Sequence, residues 1–226
     1  DVLHTPTVTE ERLSLPARLL ASVPVEPDRR RVSGSAATEA VLARAAETYP
    51  DLVLKVVPEH RSALVPLPGF PLSDVDDQLR RAVLRRLRDT AWLPAAANGS
   101  VAPSQARVLD TVSPELVELL SDVVPGLVAA DSSDPRHRRA WNALEVRRIG
   151  AAEVVEAVTG LERAAPWWYR LYEALAPIER SDARAREEFT ALPVPLVDGR
   201  TVTGVRNVLL VGDGAQDAVG VLGFGR

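Results

Sequence analysis

Three consecutive arginines near the amino terminus are the residues best suited to bind an anion. Arg29, Arg30 and Arg31 follow Asp28 in a proline-containing extended segment, and they come shortly before Ser35, which is predicted to cap a helix. Guanidinium groups form charge-assisted hydrogen bonds to phosphate and carboxylate, and the N–H groups at a helix amino terminus also favour an anion. The pattern therefore predicts an anion contact at these arginines. The alternative is a solvated loop in which Asp28 forms a salt bridge with them.

No other residues have the spacing of a catalytic, metal or nucleotide site. The three histidines lie far apart and cysteine is absent, so neither a metal site nor a disulfide is predicted. No G-x-S-x-G or Walker motif is present, and although a triad can be drawn from Asp134, His137 and a serine, no spacing selects it. Gly220, Gly223 and Gly225 do not fit G-x-G-x-x-G and are predicted to be turn or strand glycines. We therefore expect no catalytic residue, no metal and no cofactor in this chain.

Two further clusters have both a functional and a structural interpretation. The aromatic run Trp167–Tyr169 has the side chains to stack on bases or to contact a partner protein, but at helical spacing two of its rings can face a core. Several arginines share one face of a predicted helix over Ser73–Ala91 and have the charge to bind phosphate or an acidic partner. Such a face is more often simply solvated. The structural interpretation is favoured for both clusters.

The composition is that of an ordinary folded protein. Of 226 residues, 46% are apolar, and 27 basic against 31 acidic side chains give a net charge of -4. The chain therefore lacks the basic excess of a dedicated nucleic-acid-binding protein. No apolar run approaches the roughly 18 residues that span a bilayer, so we expect no membrane contact and a cytoplasmic location. The first residue is Asp1, and the chain stops within the largely apolar stretch Ala218–Arg226, which together predict a piece of a longer protein.

Short helices and strands without strict alternation predict an α+β fold. Serines at positions 35, 73 and 113 are predicted helix caps, and Asp134, followed by Pro135, is a fourth predicted cap. Apolar spacing predicts further elements, namely helices over residues 13–20, 36–48 and 151–158, a helix from Pro166 that Pro177 interrupts, and strands over 52–57, 63–67, 124–128 and 146–149.

An internal duplication organises these elements. The stretch LPAAANGSV at residues 93–101 resembles LPVPLVDGRTV at residues 192–202, and their starts lie 99 residues apart (192 minus 93). Each stretch contains Asn-Gly or Asp-Gly, a strong hairpin signal, and each follows an arginine-bearing amphipathic helix. We therefore predict two related helix–hairpin modules. The predicted domains are a connecting segment with the first helix over 1–50, a first module over 51–135, and a second module over 136–226 that is cut short at its carboxyl end.

The hairpin stretches LPAAANGSV and LPVPLVDGRTV, together with RRIGAAEVVEAVTGLERAAPWWYRLYEALAP and LSLPARLLASVPVEPDRRRV, resemble a bacterial family of large sacsin-like proteins. The resemblance covers most of Thr5 to Phe224. These proteins carry an ATP-binding domain similar to that of the ninety-kilodalton heat-shock chaperone, with an ExxxN helix and a DxGxG loop. Neither motif occurs here, so the resemblance implies a segment downstream of that domain. It also implies that such a segment supplies an arginine to the terminal phosphate of ATP held by that domain, for which Arg29, Arg30 and Arg31 are the candidates.

The resulting expectation is a non-catalytic middle segment of a sacsin-like, chaperone-type ATPase. Its expected partners are the upstream ATP-binding domain and a protein, either a client or a second copy, and ATP is expected only in the parent protein. The alternative is a free-standing protein-interaction scaffold without a linked ATPase. A third interpretation is an enzyme with a composite pocket.

Overall fold

The computed structural model describes residues 2–4, 8–28, 30–196 and 200–204. Its contact pattern separates two compact units, Asp1–Arg148 and Ile149–Arg226. The boundaries predicted after residues 50 and 135 do not coincide with this division, and the assignment of the two modules as domains stays a prediction.

The described elements confirm an α+β fold with short hairpins. The α-helices are α1 Ala36–Leu54, α2 Asp74–Asp89, α3 Pro114–Leu120, α4 Arg138–Ala143, α5 Ala151–Val158, α6 Ala165–Ser181 and α7 Ala183–Phe189. The strands are β1 Val2–His4, β2 Val8–Arg12, β3 Leu93–Pro94, β4 Ser100–Val101, β5 Arg107–Leu109, β6 Arg147–Ile149, β7 Pro193–Pro195 and β8 Thr201–Thr203. They form two-stranded sheets in the order β1-β2, β3-β4, β5-β6 and β7-β8. Short 3₁₀ helices cover Pro58–Leu64, Ala130–Ser133 and Pro135–His137.

The core of the first unit forms where α1 packs on α2. The buried apolar residues of both helices recur at the three- and four-residue spacing of amphipathic helices: Leu42, Ala46, Tyr49 and Val53 in α1, and Leu79, Val83 and Leu87 in α2. Trp92 follows α2 into the same core, and its indole N–H donates to the carbonyl of Leu87 at 2.8 Å. The end of α2 is thereby fixed against the hairpin that follows it.

A buried carboxylate joins the amino-terminal segment to α2. Asp76 is 0% exposed and accepts hydrogen bonds from the backbone N–H of Ser14 at 2.8 Å, the Ser14 hydroxyl at 2.9 Å and the backbone N–H of Leu72 at 3.0 Å. Burial alone raises the pKa of Asp76, but these hydrogen bonds and the nearby Arg80 outweigh it and hold the pKa below its usual value. The predicted cap is also present, because the Ser73 hydroxyl accepts from the Asp76 N–H at 3.1 Å.

Both predicted hairpins are present, and each follows a helix that ends at a threonine. Strands β3 and β4 pair Leu93 with Val101, and strands β7 and β8 pair Pro193 with Thr203, both antiparallel. The hydroxyl of Thr90 donates to a carbonyl in the last turn of α2, and that of Thr190 does the same for α7. The order helix, threonine, hairpin therefore occurs twice in the described residues.

The residues paired next to the turn differ between the two hairpins. In the first, the Ala95 N–H donates to the carbonyl of Gly99 at 3.1 Å, so Gly99 lies in the paired part of the hairpin. In the second, the Leu196 N–H donates to the carbonyl of Arg200 at 2.7 Å. Asp198 and Gly199 fall between these two residues in the sequence and lie outside the described residues, as do the last glycines at 220, 223 and 225.

The segment Gly126–Val128 connects the first hairpin to β5 through backbone hydrogen bonds, and Gly126 makes this possible. The carbonyl of Gly126 accepts from the N–H of Arg107 at 2.8 Å, and the carbonyl of Leu127 accepts from the N–H of Ala96 at 2.8 Å. Gly126 has φ +75, and a Cβ there would lie 2.2 Å from the backbone oxygen of Gln105. The strand predicted over 124–128 is thus present as two isolated bridges, Ala95 with Val128 and Arg107 with Leu127. Only glycine fits at position 126, where this segment comes closest to the backbone of Gln105.

Several local predictions are wrong. Helix α1 does not stop before Pro50 but continues to Leu54, because Pro50 and Val53 both pack inward; the segment predicted as a strand over 52–57 therefore begins as helix. The segment 63–67 is partly the 3₁₀ helix Pro58–Leu64. Residues 13–20 are not a helix, since the His4 N–H donates to Leu19 at 3.1 Å and the segment runs beside β1. Likewise α6 continues through Pro177 to Ser181.

The second unit packs α5 and α6 against α7. Trp168 and Leu171 of α6 are buried, as the structural interpretation of the aromatic run predicts, whereas Tyr169 is exposed. Trp167 is half-buried, stacks edge-on against Trp168, and has the guanidinium of Arg163 5.6 Å from its ring centroid. The Tyr172 hydroxyl donates to the carbonyl of Pro193 at 2.7 Å, and burial raises the pKa of Tyr172 to about 12.

Within the described part of the chain, no helix is both long enough and apolar enough to cross a lipid bilayer.

Candidate functional site

Two of the predicted arginines, Arg30 and Arg31, lie on a loop whose backbone is fixed by hydrogen bonds. Val25 and Val32 form an antiparallel bridge, the Glu26 N–H donates to the carbonyl of Arg31 at 2.9 Å, and the Ser33 N–H donates to the carbonyl of Pro24 at 2.9 Å. We name residues 24–33 the arginine loop. The bridge makes it a small hairpin directly before α1.

The arginine loop presents two described guanidinium groups to solvent. Arg30 has a side chain 68% exposed, with its Nε 3.6 Å from Oε1 of Glu10, and Arg31 is also exposed. Arg29 lies outside the described residues. The carboxylate of Asp28 accepts from the backbone N–H of Arg30 at 3.0 Å, so it shapes the turn through the backbone. An exposed pair of this kind, such as Arg30 with Glu10, contributes little to stability.

The start of α1 is closed by its own side chains. The Ser35 hydroxyl accepts from the Thr38 N–H at 3.3 Å, and the Thr38 hydroxyl donates to the carbonyl of Ser33 at 2.7 Å. The cap predicted at Ser35 is therefore present. One of the N–H groups expected to help bind an anion is used within the chain, so anion binding at the arginine loop would depend on the guanidinium groups.

A second site, which the sequence patterns do not predict, is a groove in the first unit. Its volume is about 470 Å³, and its lining combines two arginines, two histidines, two serines and one glutamate with apolar residues. We name it the Ser62 groove. Its lining residues are Ser14, Pro16, Glu59, His60, Ser62, Ala63, Val65, Leu67, Arg136, His137, Arg139 and Ala140.

His137 is the buried polar residue of the Ser62 groove. It is 4% exposed, its Nδ1 lies 2.6 Å from the hydroxyl oxygen of Ser62, and its Nε2 accepts from Nε of Arg136 at 3.0 Å. The ring packs on Trp141 with centroids 5.5 Å apart. Because Nε of arginine always carries a hydrogen, neutral His137 must keep its own proton on Nδ1 and donate it to Ser62.

The surroundings of His137 favour the neutral ring. Burial lowers the pKa of His137, and the positive charge of Arg136 lowers it further, while Asp134 and Asp131 act in the opposite direction more weakly. The pKa of His137 therefore lies below its usual value.

The pairing of Ser62 with His137 does not form the arrangement of a hydrolytic triad. A serine nucleophile needs an unprotonated histidine nitrogen facing its hydroxyl, whereas here the facing nitrogen carries the proton. Asp134 accepts from the backbone N–H of Arg136 at 2.8 Å and lies 3.8 Å from Nε of that residue. The triad drawn from Asp134 and His137 is therefore not the arrangement that the structure places around the imidazole.

Other candidate positions have structural surroundings. Of the arginines on α2, Arg81 pairs with Asp77 at 2.6 Å, Arg86 lies 3.6 Å from Glu47, and Arg88 pairs with Glu145. Among the described residues, no group of three or more histidine, aspartate or glutamate side chains comes together as a metal site would require. The arginine loop and the Ser62 groove, by contrast, each combine exposed guanidinium groups with a fixed loop or a groove.

The Ser62 groove cannot be predicted from the sequence, because its two polar centres, Ser62 and His137, lie 75 positions apart. The only local signal is Asp134 before Pro135, which predicts a turn that places Arg136 and His137 side by side.

No family model, curated protein or solved structure matches the chain. Function is therefore argued from these two sites and from the sequence resemblance.

Proposed function

We propose that this chain is the middle segment of a sacsin-like, chaperone-type ATPase, and that it acts through contacts with proteins without carrying the catalytic nucleotide site. In this proposal the arginine loop contacts the terminal phosphate of ATP bound by the preceding domain. The observation that supports it most directly is the pair of exposed guanidinium groups of Arg30 and Arg31 on a backbone-fixed loop. Such a loop can reach a phosphate outside its own unit without refolding.

Contacts with proteins are supported by an exposed apolar loop between Pro66 and Ser73. Phe70 is 97% exposed, Leu67 is 43% exposed and Leu72 is 49% exposed. An isolated exposed apolar side chain is ordinary, but three within one short loop form a patch of the kind that binds other proteins. A chaperone client or a second copy of the chain would bury this patch.

The phosphate contact is tested by ATP turnover of the full-length protein. Replacement of Arg29, Arg30 and Arg31 together by alanine is expected to lower the turnover rate at least about tenfold, because an arginine at a transferred phosphate stabilises the charge that develops there. The matched control replaces three exposed arginines elsewhere, Arg85, Arg138 and Arg184, by alanine.

Turnover that is unchanged in the loop variant, or lowered equally in the control variant, would contradict the phosphate contact. The sequence encoded upstream supplies an independent test of the whole proposal. An ExxxN helix and a DxGxG loop in that sequence would support it, whereas a start codon close to Asp1 would support the free-standing scaffold.

The protein contact is tested at Phe70. Phe70→Ser is expected to leave the melting temperature nearly unchanged, because this side chain packs against little of its own chain. The same variant is expected to lose much of the protection that the protein gives to a heat-denatured model client, measured by light scattering. Tyr169→Ser, at a second exposed aromatic residue, is the control. Protection that is equal in wild type and Phe70→Ser would exclude this loop as the client surface.

A further inference from the structure

The Ser62 groove has the size and side chains of a small-molecule site that the proposed function does not use. Its volume of about 470 Å³ falls within the range of about 300–1,000 Å³ that is usual for ligand pockets. We infer that this groove binds a small organic anion, a molecule with a phosphate or carboxylate head group, through Arg136, Arg139 and the Ser62 hydroxyl.

Ser62 is oriented to donate a hydrogen bond. Because the Nδ1–H of His137 donates to the Ser62 oxygen at 2.6 Å, the hydrogen of the serine hydroxyl must point to another acceptor. No described residue accepts it, and Ser62 lines the groove. The buried imidazole thus fixes the Ser62 hydroxyl as a donor toward the space that a ligand would occupy. A bound anion would accept this hydrogen bond.

Two arginines supply positive charge on one side of the groove. Arg136 and Arg139 are three residues apart along the chain where the 3₁₀ helix continues into α4, so both lie on the same face, while Arg138 does not line the groove. Arg136 uses Nε for His137, and the structure gives no hydrogen-bond partner among the described residues to its terminal nitrogens or to the guanidinium of Arg139. Guanidinium groups match the planar geometry of carboxylate and the oxygens of phosphate.

The remaining lining defines the rest of the ligand. Val65, Leu67 and Ala140 provide apolar contact for a carbon skeleton, so an organic anion fits better than a free inorganic ion. Glu59 is the acidic residue among those that line the groove, and its charge opposes an anion. Its presence predicts an affinity that is moderate and that rises when the carboxylate is removed.

The test is calorimetric titration of the whole chain with three probes that share one ring: phenyl phosphate, benzoate and benzyl alcohol. The two anions are expected to bind and the neutral alcohol is not. Whichever anion binds more tightly identifies the head group. Arg139→Gln is expected to weaken binding at least about tenfold. Arg138→Gln, the adjacent exposed arginine outside the groove, is expected to bind as wild type does.

Glu59→Gln gives a second variant with the opposite sign, since removal of the opposing carboxylate is expected to tighten binding about two- to fivefold. All three substituted residues are exposed, so the fold is retained and circular dichroism verifies it. Three outcomes would each overturn the inference: dissociation constants above about 10 mM for both anions, equal weakening by Arg138→Gln and Arg139→Gln, or binding of benzyl alcohol as tight as that of the anions.

Discussion

At the scale of single residues, the polar side chains that matter most are those that the fold has removed from water. Asp76 and His137 are both buried. Burial raises the pKa of Asp76, but hydrogen bonds from Ser14 and Leu72 and the charge of Arg80 outweigh it, whereas burial and the charge of Arg136 lower the pKa of His137. A buried polar group without partners costs free energy, so each of these residues holds its neighbours in place. Both therefore link stability to pH.

Asp76→Asn is expected to lower the free energy of unfolding at pH 7 by about 1–3 kcal/mol, because the amide cannot accept all the hydrogen bonds of the carboxylate. The pKa of Asp76 is lowered by folding, so its contribution is complete above the usual value of 3.8 and is lost as the pH falls through the folded-state pKa. The difference between wild type and variant should therefore shrink on acidification.

Urea denaturation at a series of pH values from about 7 to 3 measures this difference. Asp74→Asn is the control, because Asp74 is exposed in the first turn of the same helix. A difference that stayed constant across the pH series would show that the charge of Asp76 is not what these hydrogen bonds stabilise.

His137 is expected to carry its proton on Nδ1 and to titrate below the ordinary value of 6.5. Since folding disfavours the charged ring, the stabilising effect is complete above pH 6.5 and is lost as the pH falls from there toward the folded-state pKa. The charged groups around the ring are Arg136, Asp134 and Asp131. Nitrogen-15 NMR of the imidazole distinguishes the tautomers, and a proton found on Nε2 would contradict the proposed donor role of Ser62.

At the scale of elements, sequence patterns succeed where the determinant is local. The caps at Ser35, Ser73 and Ser113 are all present, because a side-chain oxygen three residues before an N–H group satisfies it regardless of distant contacts. The hairpins are likewise predicted correctly. The predicted helix ends at prolines are wrong: Pro50 and Pro177 both lie inside helices, and α1 continues past Pro50 because Pro50 and Val53 are buried.

The two sites illustrate the same limit. The arginine loop is visible in the sequence because its residues are consecutive. The Ser62 groove is not, because its polar centres, Ser62 in the 3₁₀ helix Pro58–Leu64 and His137 in the 3₁₀ helix Pro135–His137, lie 75 positions apart and are brought together only by the fold. A single sequence contains no distance information across such a gap.

Gly126→Ala is expected to destabilise the first unit by about 2–4 kcal/mol. The positive φ strains any other residue, and the added Cβ would collide with the backbone oxygen of Gln105, which cannot rotate away. Gly99→Ala is the matched control: Gly99 also has a positive φ, but its Cβ would meet open space, so the expected cost is about 1 kcal/mol. Equilibrium denaturation followed by circular dichroism compares them, and equal costs would refute the close approach.

At the scale of the whole molecule, the chain consists of two units, each with its own buried residues. The first contains a continuous core that includes α1, α2 and the two tryptophans Trp92 and Trp141. A unit with its own core has what it needs to fold alone.

A fragment of residues 1–150 is therefore expected to unfold in a single cooperative transition. Ending at Gly150 keeps strand β6 intact for its pairing with β5. Calorimetry and circular dichroism should give coincident transitions. A fragment that melted gradually, or that only folded in the presence of the rest of the chain, would show that the boundary at Arg148 does not mark an independent folding unit.

The rings of Trp92, Trp141 and His137 contact one another at a tilt, with successive centroids 6.0 and 5.5 Å apart, and this has an optical consequence. An imidazolium ion quenches indole emission more strongly than a neutral imidazole does, so fluorescence from these rings reports the protonation of His137 without any label. With Trp167 and Trp168 replaced by phenylalanine, the remaining tryptophan emission comes from the first unit alone. The molecule thus carries a built-in fluorophore beside the Ser62 groove, and its intensity should change when that groove is filled.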